Sequence, residues 1–176
     1  MDGLTETLTQ FGVTITAAAG NIWIWVENFL VLIVLTVVTL FLAMRRGGAG
    51  LISLNLALYA GYAIYIVFPY RESVIGIGAT PEVQAIISVV LFVLATAIPF
   101  IVCFRLTEPS FGSLNLVQGT ILSLASSVFL MALVYHTFDI SNIYHFPEPL
   151  SSLFEPQGYF FYWFIAPLIG LFFLAR

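Results

Sequence analysis

Residues 29–68 read FLVLIVLTVVTLFLAMRRGGAGLISLNLALYAGYAIYIVF, two apolar runs separated by a short step that is basic and rich in glycine. The first run, extended back to residue 22, is long enough to cross the roughly 30 Å hydrocarbon core of a bilayer as a helix, and the second run is nearly as long. Arg45 and Arg46 keep their charges and cannot lie in lipid, while Gly47 and Gly48 let the backbone reverse tightly. The stretch therefore predicts a transmembrane helical hairpin with a basic tip.

The composition of the whole chain agrees with a membrane protein. The 176 residues are 61% hydrophobic and 8% charged, and none is lysine. A soluble domain of this length could not cover its surface with so few polar residues. No polar block is long enough to fold as a second domain, so residues 1–176 are expected to form one membrane domain. The net charge of −4 predicts poor affinity for nucleic acid, and the apolar composition makes the lipid bilayer the expected partner.

Three further apolar runs complete the prediction of an all-α polytopic membrane protein with five transmembrane helices. The spans are expected at about residues 22–44, 51–68, 85–104, 114–138 and 159–175. Thr80, Pro81 and Glu82 are typical of a helix start, because they supply an N-cap, a first-turn proline and a first-turn acid. Residues 139–158, which contain three prolines, are expected to form the longest loop.

The segment before the first span is expected to form an N-terminal interfacial helix. In residues 2–20, Leu4, Leu8, Phe11 and Ile15 follow one another at intervals of four, three and four, which is typical of a weakly amphipathic helix. Such a helix lies most simply in the membrane interface and leads into the span. A disordered tail is the alternative, because the glycines and threonines of this segment weaken helix propensity.

The charged residues separate onto two sides when the loops are assigned alternately to the two faces of the membrane. One side carries four basic residues and one acid, Glu108, the basic residues being Arg45, Arg46, Arg105 and Arg176. The other side carries a single base, Arg71, and most of the acids: Asp2, Glu6, Glu72, Glu82, Asp139, Glu148 and Glu155. Basic residues in short loops stay in the cytoplasm, so the four arginines are predicted topology anchors. The N-terminus is then expected outside and the C-terminus in the cytoplasm.

Small residues recur at steps of four in two of the spans. Ser53, Ala57 and Gly61 share one face of the second span, and Gly119, Ser123 and Ser127 share one face of the fourth. Small side chains let helices approach closely in lipid, where no hydrophobic force drives helices together. These six residues are predicted to form two helix-packing seams, and the second seam is a candidate partner for the first.

Both histidines fall near the end of the fourth span or in the loop that follows. His136 and Asp139 are three residues apart, as are His145 and Glu148, and this spacing can place two ligands for a divalent metal ion on one helical face. No His-Glu-x-x-His motif accompanies them, and nearby prolines disfavour a helix at the second pair. We interpret His136 as a hydrogen-bonded residue at the end of the span and expect no metal or cofactor. Metal binding by the four residues and pigment ligation by His136 are the alternatives.

Other polar residues within the spans do not form a recognisable catalytic set. No histidine or lysine is placed to activate Ser113, Ser123, Ser126 or Ser127, and we expect the serines within the spans to bond to the preceding helical turn or to a neighbouring helix. Glu27 is expected to remain hydrated at the membrane boundary, the alternative being a proton-relay or ion site. A carrier is disfavoured, because the spans show no obvious inverted repeat. The chain is predicted not to be an enzyme.

The hairpin and the later spans resemble the colicin V production family over about residues 22–138. The elements that carry the resemblance are the span 30–44, the step Arg45-Arg46-Gly47-Gly48 and the span 51–68, followed by the spans 85–104 and 114–138 joined by a short polar link. The resemblance implies a small protein of the bacterial inner membrane, associated with bacteriocin export or envelope maintenance. It carries over no catalytic residues.

Two other functions are compatible with the same sequence. The first is an accessory or structural subunit of a larger membrane complex, which would use the small-residue seams and the aromatic residues of the outer loop as contact surfaces. The second is a transporter or metal-binding membrane protein that depends on a set of ionisable residues, namely Glu27, His136, Asp139, His145 and Glu148. Other membrane protein chains or further copies of this chain are the expected protein partners.

Overall fold

The computed structural model describes residues 26–107, 115–138, 144 and 146–174 of the 176-residue chain. Regular structure in this part of the chain is helical throughout, with no strand, which confirms the all-α prediction. A short helical turn at 26–28 precedes seven helices: α1 Leu30–Arg46, α2 Gly48–Val67, α3 Arg71–Ile75, α4 Pro81–Leu106, α5 Leu116–Thr137, α6 Glu148–Phe154 and α7 Gln157–Leu174. The interfacial helix expected at 2–20 and the beginning of the first span lie outside the described residues.

Three of the helices, α2, α4 and α5, are long and apolar enough to cross a membrane. They contain 20, 26 and 22 residues, which at about 1.5 Å per residue gives lengths of roughly 30 to 39 Å. The described parts of the first and fifth predicted spans are shorter, with 17 residues in α1 and 18 in α7. These lengths and compositions support a membrane protein with three of the five expected spans.

The chain reverses between α1 and α2 at a single residue. Gly47 has a φ of 64°, a conformation that favours glycine, and it is the one residue between the two helices. The α2 helix begins three residues before its predicted start, so Gly48 and Gly50 are helical. A Cβ at Gly50 would lie 3.0 Å from the Cβ of Arg46 and 3.2 Å from the carbonyl oxygen of Leu42. The glycines therefore allow both the turn and the close approach of the two helices behind it.

The start of α4 follows the sequence prediction. Thr80 is the N-cap, its hydroxyl accepts a hydrogen bond from the backbone N–H of Val83 at 3.4 Å, and Pro81 occupies the first turn. The helix then continues through Pro99 to Leu106. Proline is tolerated there because neighbouring groups can satisfy the freed backbone carbonyl in a membrane helix. The result is the longest helix in the described part of the chain.

The α5 helix forms the centre of the bundle. It packs against α1, α2 and α7, while α2 packs mainly against α4. Large side chains of α5 are almost completely inaccessible, including Leu122, Phe129, Met131 and Leu133. The fold is thus a helical bundle in which α5 contacts α1, α2 and α7, and α4 is held mainly by its contact with α2.

The first small-residue seam contacts α4. Ser53, Ala57 and Gly61 are all buried. A Cβ added at Gly61 would lie 2.8 Å from the Cβ of Thr96, and the Ser53 hydroxyl oxygen lies 2.6 Å from that of Thr107. These small residues were expected to allow close contact with another helix, and that helix is α4.

The second seam contacts α1, so the suggested pairing of the two seams is wrong. Gly119, Ser123 and Ser127 are buried, and Thr39 of α1 lies 3.1 Å from the Ser127 hydroxyl and 3.2 Å from the Ser123 carbonyl oxygen. The nearest atom to a Cβ at Gly119 would be Leu40 Cδ1 of α1, at 3.8 Å. Residue spacing identifies the small face of a helix, but any neighbour with a fitting surface can occupy that face.

The stretch expected to be a loop at 139–158 contains the helix α6. Pro149 is accommodated because it lies in the first turn, where a backbone N–H has no helical partner. Leu150 and Phe154 are buried and pack against the cluster that contains Met131 and Ala132 of α5. Apolar burial against α5 thus favours a helix where the prolines had suggested an irregular loop.

Candidate functional site

Buried polar residues are concentrated at two places in the bundle. The first, which we term the central polar cluster, lies between α1, α2 and α5 and consists of Thr39, Asn55, Ser123, Ser126 and Ser127. Each of these residues is at most 8% exposed. The burial of so many polar groups in an apolar bundle requires hydrogen bonds to compensate for lost hydration.

The hydrogen bonds of the central polar cluster join three helices. Asn55 Nδ2 donates to the hydroxyl oxygen of Ser126 at 2.8 Å and to the carbonyl oxygen of Leu51 at 2.9 Å. The hydroxyls of Ser126 and Ser127 donate to carbonyls one turn earlier in α5. Thr39 contributes the contacts from α1. The observed partners are amides, hydroxyls and carbonyls, none of which can activate a serine as a nucleophile.

The second polar site is a cavity of about 550 Å³ at the end of the bundle opposite the arginine tip. We term it the outer cavity. It lies between α2, α3, α4 and the end of α5, and its polar lining residues are Tyr65, Arg71, Glu72, Gln84, Ser88, Tyr135, His136 and Thr137. The cavity therefore combines one positive charge, one carboxylate, hydroxyls, an amide and an imidazole.

The short helix α3 supplies both charged residues of the outer cavity. Arg71 and Glu72 are the first two residues of this helix, which directly follows the end of α2. The Arg71 guanidinium carbon lies 5.4 Å from the ring centre of Tyr65, within the range of a cation–π contact. No ion pair joins Arg71 or Glu72 to an oppositely charged group in the described part of the chain, which leaves both charges available to a ligand.

The end of α5 contributes three polar atoms without partners. Tyr135 Oη, His136 Nε2 and Thr137 Oγ1 are buried and have no hydrogen-bond partner among the described residues. A buried polar atom left unpaired costs about 1–3 kcal/mol. The His136 ring also packs against Phe160, with 4.6 Å between ring centres. The hydrogen bond expected for His136 is therefore not seen at Nε2.

The predicted metal ligands are only partly described. His136 lines the outer cavity, Glu148 is exposed in the first turn of α6, and Asp139 and His145 lie outside the described residues. Within residues 26–107, 115–138 and the described part of 144–174, no three His, Cys, Asp or Glu side chains are grouped so that they could hold a metal ion. Glu27 is exposed.

Three of the predicted topology anchors lie at one end of the bundle. The Arg46 guanidinium carbon is 3.8 Å from the ring centre of Phe104, so the hairpin tip and the last turn of α4 are adjacent. Arg105 follows directly in α4, and Arg45 lies 5.1 Å from the ring centre of Phe41. Arg176 lies outside the described residues. The outer cavity with its single arginine is at the opposite end.

Sequence reasoning missed Asn55 and most of the outer cavity. An amide in the middle of an apolar run was a usable signal for Asn55, since such groups are costly in lipid without a partner. Arg71 had a signal as well, because it is the only base on the acidic side. Gln84 and Ser88 had none, because their role depends on the packing of α4 beside α3.

Comparison of the chain with protein-family models, with curated proteins and with solved structures gives no significant match. The resemblance to the colicin V production family therefore depends on the spans and the basic step alone.

Proposed function

We propose that α1 and α7 also cross the membrane, which gives a single domain of five spans preceded by an interfacial helix. Support comes from a continuous apolar stripe on the outside of α1, where five side chains are 50–73% exposed: Leu30, Val34, Val37, Phe41 and Met44. Exposed apolar surface of this extent is costly in water and favourable in lipid. Residues before Leu30 would complete the length that α1 lacks.

The α7 helix has the same character. Its exposed side chains include Phe161, Tyr162, Ile169, Phe172 and Phe173. Eighteen residues extend about 27 Å, which is enough for a span that stands nearly upright. Pro167 is almost completely buried within the bundle, so its backbone irregularity is kept away from lipid.

The proposed orientation has the N-terminus outside and the arginine end in the cytoplasm. In a Cys103→Ser background, Ser110→Cys should resist an impermeant thiol reagent on intact cells, whereas Ile77→Cys should be labelled. Ile77 is 77% exposed in the short connection between α3 and α4, so it is a suitable positive control. Labelling of Ser110→Cys without labelling of Ile77→Cys would reverse the orientation.

The proposed role is that of a small, non-enzymatic protein of the bacterial inner membrane in bacteriocin export or envelope maintenance. The observation that supports a non-enzymatic role is the central polar cluster, where the hydroxyls of Ser126 and Ser127 bond to carbonyls and to polar side chains of neighbouring helices. In lipid, such bonds contribute to helix association. The envelope role itself is proposed from the resemblance to the colicin V production family.

A deletion and complementation experiment tests this role. Loss of the gene should reduce bacteriocin release or increase sensitivity to envelope-active detergents, and the wild-type chain should restore both. Ser123→Ala, Ser126→Ala and Ser127→Ala should each restore function in proportion to the amount of protein in the membrane. A serine variant with normal abundance and no complementation would argue for chemistry at that residue, and an unchanged deletion strain would reject the envelope role.

An accessory subunit of a larger membrane complex is the alternative supported by α4. Within an 18-residue apolar segment of each helix, only 17% of α4 is buried in the bundle, against 44% of α2 and 50% of α5. Native mass measurement after gentle detergent extraction distinguishes the two proposals. A companion chain in fixed stoichiometry would favour the subunit, whereas a monomer or homo-oligomer would favour the first proposal.

A transporter or metal-binding protein is the second alternative, supported by the unpartnered His136 Nε2 in the outer cavity. Metal analysis of the purified protein and a His136→Ala, His145→Ala double variant test it. Bound metal that is lost in the variant would favour this alternative. Absence of metal together with unchanged behaviour of the variant would reject it.

A further inference from the structure

The outer cavity presents two opposite charges that are not paired with each other. Arg71 and Glu72 are adjacent in α3, both line the cavity, and no ion pair within the described residues involves either of them. A guanidinium suits a phosphate or carboxylate, because it offers several N–H donors in one plane. A carboxylate accepts hydrogen bonds from a primary ammonium. A ligand with both groups a short distance apart fits this arrangement.

Uncharged donors and acceptors surround the two charges. The hydroxyl of Thr137 and the Nε2 atom of His136 are buried without partners in the described structure, and Ser88 of α4 is also buried in the cavity wall. The cation–π contact of Arg71 with Tyr65 occupies that aromatic face, so Tyr65 is not free to hold a quaternary ammonium.

A separate apolar groove lies between α2, α4 and α5. It has a volume of about 260 Å³, and its wall includes Leu54, Leu58, Phe92, Thr96, Phe100 and Leu130. Phe92 lies one turn after Ser88 in α4, and its ring is 5.9 Å from that of Tyr65, which lines the cavity. The polar cavity and the apolar groove are therefore neighbours along α2 and α4, with the contacting rings of Tyr65 and Phe92 between them.

We propose that this cavity and groove bind a phospholipid whose head group carries a primary ammonium and a phosphate, as in phosphatidylethanolamine. Arg71 binds the phosphate, Glu72 accepts hydrogen bonds from the ammonium, and the groove holds part of an acyl chain. Phosphatidylglycerol lacks the ammonium, and the trimethylated ammonium of phosphatidylcholine has no N–H to donate. The inference depends on a membrane location for the chain and is independent of the envelope role.

Binding is measured with purified full-length protein in phosphatidylglycerol nanodiscs that contain a small fraction of phosphatidylethanolamine or phosphatidylcholine. Lipid retention by native mass spectrometry should be higher for phosphatidylethanolamine than for phosphatidylcholine. Arg71→Gln and Glu72→Gln should each weaken retention about tenfold, the effect of losing one charge-assisted interaction. Arg45→Gln is the matched control, because Arg45 lies at the other end of the bundle. Equal retention of both lipids, or unchanged retention in Arg71→Gln, would overturn the head-group assignment.

A second pair of variants tests the groove. Ala97 lines the groove, and Leu94 is 58% exposed on the same helix outside it, so Ala97→Phe fills the groove and Leu94→Phe is the control. Ala97→Phe should weaken retention of phosphatidylethanolamine but leave unchanged the binding of soluble glycerophosphoethanolamine. If the soluble compound binds and Ala97→Phe has no effect on the lipid, a free solute is the ligand and the lipid assignment is overturned. Thermal unfolding of each variant in the absence of ligand identifies a change caused by misfolding.

Discussion

The central polar cluster and the outer cavity contain similar side chains with different hydrogen bonding. In the cluster, the hydroxyls of Ser126 and Ser127 have partners on their own helix and on a neighbouring one. In the cavity, Tyr135, His136 and Thr137 each have a buried polar atom with no partner among the described residues. Asn55 Oδ1 and Ser123 Oγ of the cluster also have no partner among the described residues, so the sites differ in other respects: the cluster has hydrogen bonds between helices, whereas the cavity has the unpaired charges of Arg71 and Glu72. Four predictions test this comparison by measuring unfolding in lipid-free detergent micelles.

The largest effect is expected from Gly61→Val in the packed interior. A Cβ at this position would lie 2.2 Å from Thr96 Oγ1 and 2.7 Å from Thr96 Cα, so α2 and α4 must separate. We expect the free energy of unfolding to fall by about 3 kcal/mol, the upper part of the usual range for overpacking. Gly158→Val is the control, because a Cβ there meets nothing within 4 Å. A similar loss in both variants would mean that the effect reflects helix propensity and not the α2–α4 contact.

A moderate effect is expected from Asn55→Ala. The substitution removes the bond to Ser126 from a completely buried position and leaves a small void, so the free energy of unfolding should fall by about 1–3 kcal/mol. A double-mutant cycle with Ser126→Ala should give a coupling energy of about 0.6 kcal/mol, the usual value for an interhelical bond in a membrane protein. Zero coupling would show that the bond does not contribute to stability.

The same substitution at two threonines should have different effects. Thr39→Val removes a hydroxyl that bonds within the central polar cluster and should lower the free energy of unfolding by about 1 kcal/mol. Thr137→Val replaces an unpartnered buried hydroxyl of the outer cavity with a group of the same shape, and it should be neutral or stabilising. Equal destabilisation would remove the distinction between the two sites.

The smallest effects are expected from the arginines at the two ends of the bundle. Arg46 lies 3.8 Å from the Phe104 ring centre, and Arg46→Gln should lower the free energy of unfolding by about 0.5–1 kcal/mol. Arg71 lies 5.4 Å from the Tyr65 ring centre, so Arg71→Gln should have a smaller effect on the lipid-free protein. A larger loss in Arg71→Gln would assign Arg71 a structural role in place of a binding role.

The basic hairpin and the start of α4 were predictable because they depend on local chemistry. Arginine is excluded from lipid, Gly47 allows a reversal, and Thr80 with Pro81 starts a helix wherever α4 packs. The α6 helix was not predictable in this way. Its prolines disfavour a helix in isolation, and the burial of Leu150 and Phe154 against α5 outweighs that preference.

By itself, the sequence determined the apolar helices that fit a membrane, the hairpin turn and the small face of each seam, since all three follow from the types and spacing of residues along one chain. Only the tertiary structure decided that Gly61 meets α4, that Ser127 meets Thr39, and that Arg71 and His136 line one cavity. In lipid, several helices with small or apolar faces could pair with little difference in hydrophobic energy. Close packing and hydrogen bonds between residues distant in the chain therefore select the arrangement.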